Sequence, residues 1–168
     1  MVLEPPKTCL IVDDTRSMRV MIISWMTHAG LTSAIAENGE DARAVIEKNC
    51  PDVLITDIEM PLCNGLELVW WVRQHAVSKI SKLPIVVITS LDDPELEEII
   101  FEIGTRFLLR KPLSEEAVHR TVRAALESSI TASNALSKGL KWTDSNENWS
   151  LVRRMAHAAM RKNSRDGM

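Results

Sequence analysis

No stretch of this 168-residue chain stays apolar over the length needed to cross a bilayer, and nothing near the N-terminus joins a basic segment to an apolar one as a secretory leader would. The expectation is a soluble, cytoplasmic protein with no membrane partner. Cysteine is scarce: Cys9, Cys50 and Cys63 are odd in number, far apart and without Cys-x-x-Cys spacing, which argues against a disulfide framework or a zinc site. They read as reduced thiols. The four histidines, His28, His75, His119 and His157, show no metal-ligand spacing and no motif that would activate a hydroxyl nucleophile, so they read as surface residues. Length is limited too. With 45% hydrophobic side chains and a net charge of −3, the chain suffices for one well-buried core, and a second full domain would be cramped.

What the chain does contain is an alternation of short apolar runs with amphipathic segments. The run framed by Pro51 and Pro61, ending in Asp57, reads as a buried parallel strand. Further strands are expected over 8–12, 31–36, 83–89 and 106–110, and helices over 15–29, 40–48, 65–77, 94–103 and 114–128. Gly30 and Gly104 end two of the helices, Asn38-Gly39 opens another, and Asp93-Pro94 starts a helix whose Glu95, Glu97 and Glu98 suit the positive end of its dipole. In the helix over 65–77, Leu66, Val69, Trp70 and Val72 or Arg73 lie on or near the inner face. The adjacent Trp70 and Trp71 cannot both face inward, and core plus partial surface packing is a simpler account of them than a recognition site. Five alternations of strand and helix call for a doubly wound α/β sandwich around a parallel sheet.

In such a sheet ligands gather at the carboxyl ends of the strands. The ends of strands one, three, four and five then bring Asp13, Asp14, Asp57, Thr89 and Lys111 to one edge. An aspartate just past a strand can merely cap the next turn. Three carboxylates crowded together, however, raise one another's pKa and destabilise the fold unless a cation neutralises them. Mg²⁺ suits this set, being a hard ion that takes one or two carboxylates, keeps waters and accepts phosphate oxygens. One divalent cation and one ammonium balance three carboxylates. A carboxylate beside Mg²⁺, with an ammonium and a hydroxyl aimed at the same point, is what formation of an aspartyl phosphate requires, with Asp57 as in-line nucleophile.

Asp13-Asp14, Asp57-Ile58-Glu59-Met60-Pro61 with Gly65, Thr89-Ser90 and Lys111-Pro112 resemble, in order and spacing, the motifs of the receiver domain of two-component response regulators, over about residues 7–127. The resemblance implies a flavodoxin-like sheet of five parallel strands in the order 2-1-3-4-5 with five helices. It implies a phosphorylation-dependent signalling switch and no enzyme beyond its own phosphorylation and dephosphorylation. Asp57 would take a phosphoryl group from a sensor histidine kinase or a histidine phosphotransfer protein and signal by contact with a downstream protein target. Asp14, Asp57 and the backbone carbonyl of Glu59 would bind Mg²⁺, with Asp13 acting through water. Lys111, the Thr89 hydroxyl and the backbone N–H groups of Ile58 and Ser90 would hold the phosphate, and the Lys111–Pro112 bond would be cis. In that family an aromatic residue three positions before the lysine swings inward on activation. Here that position is Leu108, and alternation points Phe107 to the opposite face. Glu59 and Leu91 occupy positions resembling those that tune access of hydrolytic water.

The charge is uneven. Residues 1–126 carry 13 basic and 19 acidic side chains, net −6, whereas residues 127–168 carry 7 and 4, net +3. The expected organisation is a receiver unit over 1–127, a linker over 128–148 rich in Ser, Thr, Asn and Lys, and a C-terminal amphipathic helix and tail over 149–168. Trp149, Val152, Met155, Ala156, Ala159 and Met160 share one face of that helix, and Arg153, Arg154, His157 and Arg161 the other. A helix this short needs a surface to lie on: its own receiver, a second subunit in a homodimer, or a partner. DNA binding is not expected, because about 40 residues with one strong helix do not build a helix-turn-helix domain. Two other classes remain in view. One is a non-phosphorylated interaction scaffold with this fold. The other is a phosphohydrolase, which Asp57-Ile58-Glu59 superficially resembles, although the acid pair precedes the nucleophile and no insertion is long enough for a substrate cap.

Overall fold

Successive residues of a strand point to opposite faces of a sheet, so a strand that is apolar at every position can be covered on both sides. In the computed structural model, which describes residues 5–128, the three central strands approach this pattern, departing from it only at Thr8, Thr56, Asp57 and Thr89. The elements in chain order are β1 (Thr8–Val12), α1 (Arg16–His28), β2 (Thr32–Ala36), α2 (Gly39–Lys48), β3 (Val53–Asp57), α3 (Gly65–Gln74), α4 (Ser78–Ser81), β4 (Ile85–Thr89), α5 (Pro94–Glu102), β5 (Phe107–Arg110) and α6 (Glu115–Ser128). The sheet has the order β2-β1-β3-β4-β5, and all neighbours are parallel. The flavodoxin-like order is the one expected.

Two apolar layers follow from the alternation. Leu10, Val12, Leu54, Ile85 and Val87 pack under α2, α3, α4 and α5, whereas Cys9, Ile11, Val53, Ile55, Val86 and Ile88 pack under α1 and α6. β3 and β4 are buried on both faces at the centre of the sheet, and both end at the site described below. The described cysteines are free thiols.

Local signals set most of the element ends. Asn38 accepts from the Asp41 N–H to cap α2, Asp93 accepts from Glu95 to cap α5 with Pro94 behind it, and the Ser114 hydroxyl accepts from Ala117 at the start of α6. Gly30 and Gly104 end α1 and α5 at φ values of 79° and 90°. A capping box that the sequence reading passed over starts α3: Asn64 accepts from the Glu67 N–H, and Glu67 reaches back to the Asn64 N–H.

The helix expected over 65–77 stops at Gln74, and a one-turn sixth helix, α4, is added to the five expected. His75 is extended, and its ring Nδ1 accepts from the Val77 N–H at 3.1 Å, a local bond that competes with continued helix. Arg73 then reaches across the break. Its guanidinium donates to the carbonyls of Ser81, Leu83 and Gly104, tying α3 to α4 and to the loop before β5, and burial pulls its pKa down to about 10. Trp70 and Trp71 are both half-buried against the core, so neither indole faces fully inward. The Trp71 ring lies under the Arg43 guanidinium at 5.5 Å and meets the edge of His75 at 5.0 Å.

His28, on the surface as expected, pairs with Glu115 at 2.8 Å. His75 and His119 are more enclosed than a surface reading implies, and His119 bonds to the Trp25 carbonyl. Among the described residues no helix is long and apolar enough to cross a membrane. The expected linker beyond residue 128 and the helix over 149–168 lie outside the described residues.

One strained residue sits in the loop between β3 and α3. Leu62 has φ 64° with its side chain 75% exposed, so it bears the cost of the left-handed conformation without gaining burial. Leu62→Asn, which tolerates that conformation, is expected to raise stability by roughly 0.5–1 kcal/mol. A higher urea midpoint with unchanged slope would show it; an unchanged midpoint would mean that the loop already relaxes this strain.

Candidate functional site

The strand ends gather on one edge because parallel strands all finish in the same direction. Asp57 is the last residue of β3, and Asp13 and Asp14 follow the last residue of β1. Thr89 ends β4, and Lys111 follows β5, its backbone N–H bonded to the Thr89 carbonyl. The Lys111–Pro112 bond is cis, as the motif implies.

Side chains distant along the chain meet there. Lys111 Nζ donates to Asp57 Oδ2 at 3.0 Å and lies 3.7 Å from Asp13 Oδ2. Carboxylate oxygens of Asp13, Asp14 and Asp57 fall within 4.8 Å of one another. Asp13 and Asp57 are buried, and Asp14 is exposed at the mouth. Burial, with the nearby Asp13 charge, pushes the Asp57 carboxyl up to about 7 even though Lys111 opposes the shift. Burial likewise raises Asp13. For Lys111 burial works downward, but Asp57 and Asp13 prevail and hold its ammonium above its ordinary value. These shifts have one physical source: burial of crowded carboxylates with the Lys111 ammonium against them.

The pocket also contains an orphan. Asp13 Oδ1 accepts from the Thr15 N–H at 2.7 Å, but its Oδ2 is shielded from solvent and has no hydrogen-bond partner. A buried carboxylate oxygen without a donor is costly, and a cation bound by the three carboxylates would remove that cost. All three groups are hard oxygen donors, the set that suits Mg²⁺.

The other residues singled out in the sequence divide into two groups. The Ile58 N–H, at the start of the loop, is shared between the Ile88 carbonyl at 3.1 Å and Asp57 Oδ1 at 2.9 Å, so it already points at the carboxylate. Thr89 is buried at the site with its hydroxyl oxygen accepting from the Leu91 N–H. Ser90 and Glu59 bond to each other: the Ser90 N–H and hydroxyl both donate to the Glu59 carboxylate, the latter at 2.6 Å. The Glu59 side chain is thus turned to Ser90, outside the group formed by the three aspartates. Leu108 packs half-buried toward the α3 and α5 side, while Phe107 packs toward α1 and α6. The register of β5 on β4 is continuous from Phe107 to Arg110, so no bulge brings Phe107 round to the position of Leu108.

Arg19 is the site residue that the sequence reading missed. It is only 6% exposed, and its guanidinium donates to the Asp13 carbonyl at 2.7 Å and to Glu37 at 2.8 Å. Arg19 braces the backbone that presents Asp13. The signal was there: Arg19, Ile22 and Met26 fall on one helical stripe, so an arginine occupied a core-facing position.

Gly65 places the loop. Its N–H donates to the Ile58 carbonyl, and a Cβ at this position would lie 2.0 Å from the Asp57 carbonyl oxygen. Only a glycine lets α3 begin this close to the end of β3.

The comparisons with known proteins agree with this geometry. The family model described as the response regulator receiver domain matches residues 9–123. The chain is 30% identical over 109 residues to the Regulator of RpoS of Escherichia coli, covering 65% of this chain and 31% of that protein. It is 33% identical over 115 residues to the DNA-binding transcriptional regulator NtrC of Salmonella typhimurium, covering 68% of this chain and 24% of that one. The matched region therefore spans 31% and 24% of the length of these two relatives. Among solved structures, chemotaxis protein CheY4 of Vibrio cholerae superposes with a TM-score of 0.67 at 30% identity, covering 72% of this chain and 99% of that one. A putative response regulator from Chloroflexus aurantiacus gives 0.67 at 37% identity, covering 73% and 99%. With the acidic pocket, the ammonium and the hydroxyl standing at the ends of the same strands, the chain belongs to the response regulator receiver domain family of two-component systems.

Proposed function

We propose that this protein is a cytoplasmic phosphorylation switch in which Asp57 accepts a phosphoryl group from a sensor histidine kinase or a histidine phosphotransfer protein. The activated form then signals through contact with a downstream protein. The observation that carries this reading is the convergence of Lys111 Nζ, 3.0 Å from Asp57 Oδ2, with three carboxylates whose oxygens lie within 4.8 Å of one another. Asp13, Asp14, Asp57 and the backbone carbonyl of Glu59 would hold Mg²⁺, which supplies charge neutralisation for the phosphoryl oxygens when bound.

One Asp57 oxygen forms the O–P bond as the donor's P–N bond breaks, and the leaving imidazole takes up a proton from solvent. Lys111 is already beside that oxygen and stabilises the developing negative charge. The Ile58 and Ser90 N–H groups and the Thr89 hydroxyl are the remaining donors for the phosphoryl group. The Thr89 hydroxyl accepts from the Leu91 N–H and keeps its own proton to donate to the phosphoryl group. Movement of Thr89 toward the phosphoryl group, with repacking of Leu108 behind it, is the two-state element we assign to the switch.

Incubation with Mg²⁺ and phosphoramidate is expected to add the mass of one phosphoryl group to the intact protein, and Asp57→Asn is expected to abolish it. Absence of an adduct under all conditions would favour the non-phosphorylated scaffold, whereas sustained turnover of a phosphomonoester would favour the hydrolase.

A further inference from the structure

Glu59 lies two residues beyond Asp57, and Ser90 lies one residue beyond Thr89, so their side chains face each other across the ends of β3 and β4. The Ser90 N–H donates to Glu59 Oε2 at 3.3 Å, and the Ser90 hydroxyl lies 2.6 and 2.9 Å from the two Glu59 oxygens. Unlike the Ile58 and Lys111 N–H groups just past β3 and β5, the Ser90 N–H donates to no backbone carbonyl among the described residues, which leaves it available to an anion. In this chain an internal anion has taken it. The Glu59 charge also acts on the pocket: it adds to the upward push on Asp57 and helps hold the Lys111 ammonium.

We propose that Glu59 is a positioning residue that latches onto Ser90 in the resting protein, occupying the donor that a phosphoryl group on Asp57 would need, so that phosphorylation must displace it. The proposal rests on Asp57 being the phosphoacceptor and adds to that reading a competitor built into the chain. Its physical basis is that a carboxylate and a phosphoryl group present similar oxygen atoms to the same N–H, and only one can be accommodated. The latch is tethered, so its effective concentration at Ser90 is high, but it is solvent-accessible, so its hold is modest. Ser90 strengthens it through the hydroxyl, whose two contacts are shorter than that of the N–H. On this account the exposed pair sets how readily the resting site accepts a phosphoryl group, separately from any part Glu59 plays in hydrolysis.

The test uses the 168-residue chain with Mg²⁺ and phosphoramidate, whose P–N bond breaks with loss of ammonia, and follows the rate of mass gain. Glu59→Ala is expected to be phosphorylated roughly three- to tenfold faster than wild type, the range for losing a partly exposed charge-assisted bond. Ser90→Ala keeps the backbone N–H and the Glu59 charge while removing the hydroxyl anchor, and it is expected to recover part of that gain. The double variant is expected to be no faster than Glu59→Ala, because both changes open the same latch. As a readout independent of turnover, the Ser90 amide proton resonance of the unphosphorylated protein should move upfield in Glu59→Ala, reporting loss of its carboxylate partner. Wild-type rates in Ser90→Ala with a faster Glu59→Ala would reduce the effect to charge repulsion and overturn the latch. An adduct on wild type with no gain in Glu59→Ala would overturn this proposal alone. No adduct on wild type under any condition would remove the phosphoacceptor reading and this proposal together.

Discussion

Without a divalent cation, the protein is expected to lose stability as pH rises from about 4 to about 7, and Mg²⁺ is expected to restore it. Asp57 carries the effect. Its folded-state pKa is about 7 against an ordinary value near 3.8, so within that window the folded protein keeps a proton that the unfolded chain releases. Stability falls wherever the folded state binds the more protons. Below pH ~4 the carboxyl is protonated in both states and no penalty exists; above pH ~7 it is ionised in both, and the penalty is constant at no more than roughly 4 kcal/mol. Asp13, also raised by burial, acts in the same direction.

Metal binding needs the ionised carboxylates, so the stabilisation by Mg²⁺ should grow through the same window. Urea unfolding at a series of pH values, with chelator and with Mg²⁺, checks both parts. Asp57→Asn should flatten the pH dependence in chelator and, near pH 8, exceed the metal-free wild type in stability by a few kcal/mol. Parallel curves for wild type and Asp57→Asn would show that Asp57 is not the group confined by the pocket.

Gly65→Ala is expected to be the most damaging single change in the loop, costing roughly 3–5 kcal/mol. Its added Cβ would meet the Asp57 carbonyl oxygen at 2.0 Å and the Asp57 carbonyl carbon and Ile58 Cα at 2.8 Å. All three are main-chain atoms of a strand end held between β1 and β4, so no side chain can swing aside to absorb the overlap. Gly30 provides the contrast: a Cβ there meets nothing within 4 Å, and its φ of 79° leaves only backbone strain. Gly30→Ala should therefore cost about 1 kcal/mol. Because relief at Gly65 comes by moving Asp57, the surviving folded fraction of Gly65→Ala should also be phosphorylated more slowly than wild type. Midpoints from urea unfolding rank the two substitutions, and similar losses at both positions would mean that the loop, not the strand, yields.

Much of this was legible along the chain because its causes are local. Apolar runs marked the strands, and Asn38 and Asp93 marked helix starts because a capping side chain acts within three residues of its own position. The acidic pocket was legible by one further step, since parallel strands must deliver their ends to one edge. Arg19 was overlooked because an arginine on a helix ordinarily reads as solvated, although its place on the stripe with Ile22 and Met26 gave it away. The break after Gln74 was harder to read. It depends on the His75 ring turning back to the Val77 N–H and on Arg73 meeting carbonyls as far away as Gly104, and neither choice is written in periodicity.

By itself the sequence determined the order and kind of the elements apart from α4, the edge at which Asp13, Asp14, Asp57, Thr89 and Lys111 assemble, and the family to which those motifs belong. Only the tertiary structure decided how those groups pair at rest: Lys111 on Asp57, Arg19 under Asp13, Glu59 on Ser90, and one oxygen of Asp13 with the Lys111 charge nearby but no hydrogen bond. The physical reason is range. Periodicity and capping act over a few residues and are printed in their order, whereas a hydrogen bond between side chains dozens of positions apart depends on tenths of an ångström and on which water is excluded, and both are settled by packing.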